Sequence, residues 1–370
     1  MRIALVGLNF AEIGARLALS LARRHDVEVY LGQNASDREL TEALRRELKA
    51  AARVHCLPPP HRRRMLSQGW RLAQDVAKFA PDVVHVQEAA GWTVWAFSQF
   101  FRSPSAFVLT VHDPQPHSGD AAARVRTRWA DNRNRRRADA IIVHGEALAR
   151  EMERIEPSVR GRVHVVPHGA LGERVGALKG EGRFLMFGRV QAYKGLGVLL
   201  DAVEILAAQN RRFEMTVAGV GDHLDQHRAR IARWPQVRLD ERYIPADEVA
   251  GLFEACDAVT MPYLDATQSG VGALAMMAGR AVIASDVGAI GEVVRDGENG
   301  LIVPAGDAPR LAAAMARILD EPGLAARLGA GARATALGEL SWERVAEKTV
   351  LVYEDARGFR KRSRRIRTGP

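Results

Sequence analysis

The stretch RFLMFGRVQAYKGLGVLLDAVEILAAQ, residues 183–209, decides the fold of its half of the chain. RFLMF is an apolar run of strand length without alternating polar positions, as a strand buried on both faces requires. GRVQAYKG interrupts it with two glycines and two cations. LGVLLDAVEILAAQ then repeats its apolar residues at spacings of three and four, the period of a helix lying on a sheet. Strand, turn and helix in that order form a βα unit, and such units repeat with parallel strands.

The same cycle continues downstream through FEMTVAGVG (213–221), VRLDERYI (237–244), the helix ADEVAGLFEAC (246–256), DAVTMPY (257–263), a polar turn and small-residue helix, RAVIASDV (280–287), GLIVP (300–304) and the helix APRLAAAMARIL (308–319). Upstream it reads RIALVG (2–7), EIGARLALSLARR (12–24), VEVYLG (27–32), a charged helix over 36–52, RVHCL (53–57), a Pro-rich loop, a helix near 70–79, DVVHV (82–86), AFVLTVHD (106–113), ADAIIVHG (138–145) and VHVVPHG (163–169). Between the two series, residues 165–182 are Gly-rich and without period, the mark of a linker. The sequence therefore predicts an α/β chain with two Rossmann-like domains, 1–172 and 183–336. A last helix over about 340–358 has no strand after it, and 359–370 reads as a basic flexible tail. A length of 370 residues agrees with two domains. In such sheets ligands bind beyond the carboxyl ends of the strands, which predicts a cleft between the two halves.

The start, MRIALVGLNF, reads as a first strand, because its apolar run is too short and too interrupted for a signal peptide. GWTVWAFSQFF (91–101) has about half the length needed to span a bilayer. Cys56 and Cys256 stand far apart and suggest neither a disulfide framework nor a zinc site, which points to the cytoplasm. The net charge of +9 is uneven: residues 357–367 hold seven Arg or Lys and no acid, and residues 124–137 hold seven Arg against one Asp. Solvated helix faces and a solubilising tail account for such clusters. So does an anionic partner, in particular an inner membrane face met by Arg133, Arg135, Arg136, Arg137, Arg62–Arg64 and the tail. No nucleic-acid signature accompanies them.

Arg189 and Lys194 fall in the loop after RFLMF, ahead of a helix, with Gly188 and Gly195 allowing close backbone approach. Two cations at a helix start suit a diphosphate, the Arg as a planar fork and the Lys as a point charge. The glycines are not spaced as a phosphate loop, and no Ser or Thr follows the Lys. Gly7 and Gly14 in GLNFAEIG are a weaker candidate of the same kind. His112 ends the strand AFVLTVHD at the same sheet edge. Asp113 and His117 lie close in sequence, but nothing supplies a fourth ligand, and no metal is expected. His85 and His168 are secondary candidates. Glu292 in VGAIGEVVRDGENG suits the hydroxyls of a ribose or the start of a short helix.

FGRVQAYKGLGVLLDA, EVAGLFEACDAVTMPY and DVGAIGEVVRDGENGLIVPAGD resemble the C-terminal half of retaining glycosyltransferase family 4. TVHDPQPHSGD, ADAIIVHGEAL and VHVVPHG resemble its N-terminal half. The resemblance covers about residues 2–355 and implies a GT-B fold, with an N-terminal acceptor-binding domain, a C-terminal nucleotide-sugar domain and a last helix crossing back to the first. It implies that Arg189 and Lys194 hold the donor diphosphate, that His112 lies near the reacting sugar carbon, and that Glu292 sits in the donor loop. The family uses no metal, and this chain has no DxD; the nucleotide sugar is a co-substrate and no cofactor is implied.

The family's paired glutamates, eight residues apart, fall on Ala266 and Leu274. A subgroup with a TQSGV turn resembles this chain there. Gln268, Ser269 and Gly270 then offer neutral donors and helix amides to phosphate or sugar oxygens. The function expected is retaining transfer of a sugar to a hydroxyl acceptor, saccharide, lipid-linked or small, in polysaccharide or glycoconjugate synthesis. The alternatives are another GT-B enzyme, an epimerase or phosphorylase, and an inactive relative that binds a partner.

Overall fold

The computed structural model describes residues 1–59, 61, 63–88, 92–101, 104–115 and 128–368. They form two compact units, one from 1–115, 128–167 and 342–368, the other His168–Ser341.

Unit one runs β1 (Arg2–Gly7), α1 (Ala11–Ala22), β2 (Asp26–Gly32), α2 (Gln33–Glu39), α3 (Glu42–Ala51), β3 (Arg53–Leu57), α4 (Met65–Phe79) and β4 (Val83–Val86). It continues with α5 (Trp92–Phe100), β5 (Ala106–Thr110), α6 (Arg128–Arg137), β6 (Ala140–Val143), α7 (Glu146–Ile155) and β7 (Val163–Val165). The sheet order is β3-β2-β1-β4-β5-β6-β7, all parallel, with Leu5 beside Val29 on one side and His85 on the other. Strand β1 is central: the chain steps outward to β3, then returns to β4 and steps the other way. That reversal between β1 and β4 opens a crevice at the carboxyl ends of the two strands. Ile3, Leu5, Val27, Val29 and Val83 fill the core with Leu17 and Leu21 of α1.

Unit two runs β8 (Arg183–Phe187), α8 (Leu196–Ala208), β9 (Glu214–Ala218), α9 (Arg228–Ile231), β10 (Val237–Asp240), α10 (Ala246–Glu254) and β11 (Ala258–Met261). Then come α11 (Gly270–Ala278), β12 (Ala281–Ser285), α12 (Ile290–Val293), β13 (Gly300–Val303), α13 (Ala308–Asp320) and α14 (Leu324–Leu337). Its order is β10-β9-β8-β11-β12-β13, again parallel, so the reversal falls between β8 and β11. The quoted stretch supplies β8 and α8, whose Phe184, Met186, Leu196, Leu199, Leu200 and Val203 are all buried in one core.

The last helix, α15 (Trp342–Thr368), belongs to unit one. Val345, Ala346, Val352, Tyr353 and Ala356 join that unit's core. The helix passes through residue 359, where the sequence predicts a flexible tail. Arg is a good helix former, and Arg357 and Arg360 find Asp82 and Asp139 at 3.5 and 3.7 Å. Phe359 lies under the Arg162 guanidinium, 5.4 Å from ring centre to carbon. Among the described residues no helix is long and apolar enough to cross a membrane.

Candidate functional site

In unit two the chemistry collects where β8 and β11 part. Gly188 leaves β8 with φ +103, open to glycine and strained for other residues. A Cβ there would stand 3.3 Å from Lys194 Nζ and 3.6 Å from the Val271 side chain, so the β8 loop, the lysine and the first turn of α11 meet at one place. Lys194 ends a single 3-10 turn, Ala192–Lys194. Gly195 follows at φ +70, and a Cβ on it would lie 1.9 Å from the Pro262 carbonyl oxygen. That contact pins the loop to the end of β11. Lys194 Nζ donates to the Tyr263 hydroxyl at 3.2 Å and lies 5.0 Å from its ring centre. Arg189 is exposed. Neither cation is paired with a carboxylate among the described residues.

Helix α11 begins at Ser269, whose Oγ accepts from the Gly272 amide at 3.2 Å and lies 3.3 Å from Met261 Sδ. The hydroxyl is thus a helix cap, and the first-turn amides of Gly270 and Val271 are ones that the helix ladder itself does not use. Gln268 Oε1 is buried and has no protein partner among the described residues. Glu292 is exposed in the first turn of α12, where Ala289 is the N-cap.

In unit one the crevice between β1 and β4 holds two carboxylates that sequence reasoning missed. Glu88, two residues past β4, accepts from Asn9 Nδ2 and from the Leu8 and Asn9 amides. Glu39 accepts from the Glu12 amide at 3.2 Å and from that of Ala11. Burial pushes each carboxyl up to about 7, and the nearby Glu39 adds to the effect on Glu88. The amides of the β1–α1 turn, the usual phosphate seat of a Rossmann unit, are therefore taken by the protein's own side chains. Gly7 and Gly14, expected among the donor contacts, lie on either side of this filled turn, at the end of β1 and in α1. Gly14 serves packing, since a Cβ on it would stand 3.2 Å from Leu31. The signal in the sequence is slight: Glu88 stands two residues past a buried strand, and Glu39 ends a helix.

His112 lies just beyond β5, buried, its ring 4.1 Å from that of Phe10. His144 Nδ1 is 3.0 Å from the Val166 carbonyl, so it carries the proton, and His144 Nε2, 3.0 Å from His112 Nδ1, accepts. With both rings neutral, His112 is protonated on Nδ1 and Nε2 is its basic nitrogen. Burial first, then His144, holds His112 down at about 3. The ring acts as a neutral hydrogen-bonding group, not a cation. Asp113 follows in the loop; His117 lies outside the described residues. Among those described, no cluster of three metal-ligating side chains occurs. His85 is a structural tie: Nδ1 meets the Tyr353 hydroxyl at 2.8 Å and Nε2 meets Thr110 Oγ1 at 2.7 Å. His168 is buried, with Nδ1 donating to the Gly169 carbonyl at 2.8 Å.

The arginines expected on an acceptor or membrane side divide. Arg135 is buried and donates to the Pro114 carbonyl at 3.0 Å, bracing the loop that carries His112. Arg136 pairs with Glu156 at 2.8 Å, and Arg137 donates to the Phe101 carbonyl at 2.8 Å. Each of these three is tied to a partner elsewhere in unit one, Arg135 from a buried position and Arg136 from an exposed one. Among the described residues, Arg133 is the one of the four that is exposed without a bonding partner of this kind.

Two family models match consecutive parts of the chain: Glycosyltransferase Family 4 over residues 15–170, and Glycosyl transferases group 1 over residues 181–321. The chain belongs to the glycosyltransferases. A glycogen synthase of Mycobacterium tuberculosis is 26% identical over 286 residues, 74% of this chain and 68% of that protein. A D-inositol 3-phosphate glycosyltransferase of Xylanimonas cellulosilytica is 29% identical over 242 residues, 59% of this chain and 57% of its own length. Among solved structures, sucrose-phosphate synthase from Thermosynechococcus elongatus superposes with a TM-score of 0.71 at 20% identity, covering 96% of this chain and 98% of that one. The HepE protein of Anabaena, in complex with UDP-glucose, gives 0.72 at 18% identity, covering 96% and 99%. The fold is GT-B.

Ala266 and Leu274, expected to fall where the family has its paired glutamates, are apolar by packing. Ala266 is buried in the unit-two core, and Leu274 packs against the same core. A Cβ on Gly172 would lie 2.6 Å from the Leu274 side chain, so the linker closes over that position.

Proposed function

We propose that the enzyme is a retaining, metal-independent glycosyltransferase that moves a sugar from a nucleotide-sugar donor to a hydroxyl acceptor. The observation that carries this is the convergence of Lys194, Gly188 and the amide-bearing start of α11 at the unit-two switch point, beside Arg189, with no carboxylate paired to either cation among the described residues. As the glycosidic bond to the diphosphate breaks, negative charge builds on the leaving oxygen. Lys194, Arg189 and the Gly270 and Val271 amides are placed to stabilise it. The acceptor oxygen forms its bond to the same sugar carbon on the same face, and its proton passes to the leaving phosphate oxygen. Cation and amide donors take the role that a metal would have. In unit one the neutral His112 serves as a hydrogen-bonding partner for a sugar hydroxyl. The acceptor is a saccharide, free or lipid-linked, or another small hydroxyl compound, within polysaccharide or glycoconjugate synthesis on the cytoplasmic side.

UDP-glucose, the ligand of the HepE structure, is the first donor to test, with GDP- and ADP-sugars beside it. The expected result is a rise in melting temperature with one nucleotide class, and transfer with retained anomeric configuration that EDTA leaves unchanged. No stabilisation by any of them at millimolar concentration would overturn the proposal, as would an inverted product.

A further inference from the structure

Four of the six tryptophans fall on α4, α5 and α6 of unit one. Helix α5 packs against both of the others. Gly69 of α4 makes the closest approach: a Cβ there would stand 2.5 Å from Ala96 Cβ. On this support Trp92, Trp95 and Trp129 form one aromatic cluster, with ring centres 5.7, 6.5 and 5.6 Å apart pair by pair. The cluster is not a core. Trp129 is 59% exposed and Trp92 36%. On α4, Leu66 and Trp70, one turn apart, are 54% and 50% exposed, and Phe100 at the end of α5 is 40% exposed. Large exposed apolar side chains concentrated in this way mark a docking surface.

The charge around these side chains is mostly positive, with Asp75 on α4 and Asp131 on α6 as the acids of those helices. Arg63, Arg64 and Arg71 flank Leu66 and Trp70, and Arg133 follows Trp129 by one turn; all four are exposed. None of the four forms an ion pair among the described residues. The nearest acid on α4, Asp75, is engaged by Lys78 at 2.9 Å. Indoles prefer the boundary between acyl chains and headgroups, where the ring is apolar and the N–H is wet. Guanidinium groups bind phosphates there. Leu66 and Phe100 decide between an anionic bilayer and a polynucleotide: they add area that acyl chains can cover and that offers nothing to a phosphodiester backbone.

We infer that the Trp–Arg face of α4, α5 and α6 docks the enzyme on the surface of an anionic lipid bilayer. This face keeps Arg63, Arg64 and Arg133 of the basic groups that the sequence suggests, adds Arg71, and leaves out Arg135, Arg136 and Arg137, which are held by the fold. It stands independently of the donor site.

The test uses the full chain with vesicles of phosphatidylcholine alone, and with about 30% phosphatidylglycerol, at about 50 and about 500 mM salt. Co-sedimentation is expected with the anionic vesicles at low salt, roughly tenfold weaker at high salt or on neutral vesicles. Tryptophan emission should shift to the blue on binding. W92S/W129S, and separately R63Q/R64Q/R71Q, should each lower partitioning about tenfold or more. Unchanged melting temperatures establish that the variants are folded, and W92F/W129F is used if the serine pair is not. Wild-type protein that stays in the supernatant, or variants that bind as it does, would overturn the inference. So would a Trp-dependent dimer or Trp-dependent binding of a single-stranded oligonucleotide in the absence of vesicle binding.

Discussion

Lys194 and Tyr263 lie 69 positions apart in the chain, yet the lysine Nζ is 3.2 Å from the tyrosine hydroxyl and 5.0 Å from its ring centre. The ring fixes a flexible cation beside Gly188 before any ligand arrives, which lowers the ordering cost of binding. Replacing Lys194 with Ala should raise donor KM and lower kcat, together costing roughly 2–4 kcal/mol in kcat/KM. Tyr263→Phe should act mainly on KM, by about 0.5–1.5 kcal/mol. Steady-state kinetics on both variants checks this, and wild-type values in Lys194→Ala would remove the lysine from the site.

The two loop glycines should each affect folding, and Gly188 should affect binding as well. Gly188→Ala adds strain at φ +103 and puts a methyl 3.3 Å from Lys194 Nζ, so the free protein should lose about 1–3 kcal/mol and donor-induced stabilisation should also shrink. Gly195→Ala meets the Pro262 carbonyl at 1.9 Å, and the free protein should lose at least about 1–3 kcal/mol. Denaturant melts with and without donor measure both effects.

Glu88 makes stability depend on pH. Its folded-state value, about 7, lies above the ordinary 4.5, so between those limits the folded chain keeps a proton that the unfolded chain releases. The stabilisation is full below pH 4.5 and is lost as pH rises through 7, a change on the order of 3 kcal/mol. Glu88→Gln removes this dependence while keeping an oxygen for the Leu8 and Asn9 amides. Its melting temperature relative to wild type should therefore climb from pH 4.5 to 8. A difference that stays flat, or falls, would contradict the burial argument.

His112, held at about 3, stays neutral across the working range. The pH–rate profile between pH 5 and 8 should carry no limb that His112→Gln removes. Arg135→Ala should lower activity without touching donor affinity, because it releases the carbonyl of Pro114 and with it the loop behind His112. Arg135→Lys should recover only part, since a lysine lacks the planar fork of the guanidinium. Kinetics at fixed saturating donor reads this directly.

The order of strands and helices, the domain count and the cations after RFLMF were legible in the sequence, because apolar period and turn composition are local properties of the chain. Arg189, Lys194 and the start of α11 could be placed at a strand's carboxyl edge for the same reason. What the chain order could not supply were the partners. Glu88 reaches Asn9 across 79 positions, His112 reaches His144 across 32, and Tyr353 reaches His85 across 268. A parallel sheet brings together the ends of strands that are distant in sequence, and only that assembly decides which residues share an edge. The same holds for the arginines: composition groups residues 124–137 as one basic cluster, while the packing of α6 commits Arg135, Arg136 and Arg137 to carbonyls and Glu156 and leaves Arg133 outside. The sequence by itself determined two doubly wound sheets and a cationic loop. The tertiary structure alone decided that one β1–α1 turn is filled by carboxylates and that Lys194 rests on Tyr263 beside Gly188, because both depend on which strand ends the crossovers make neighbours.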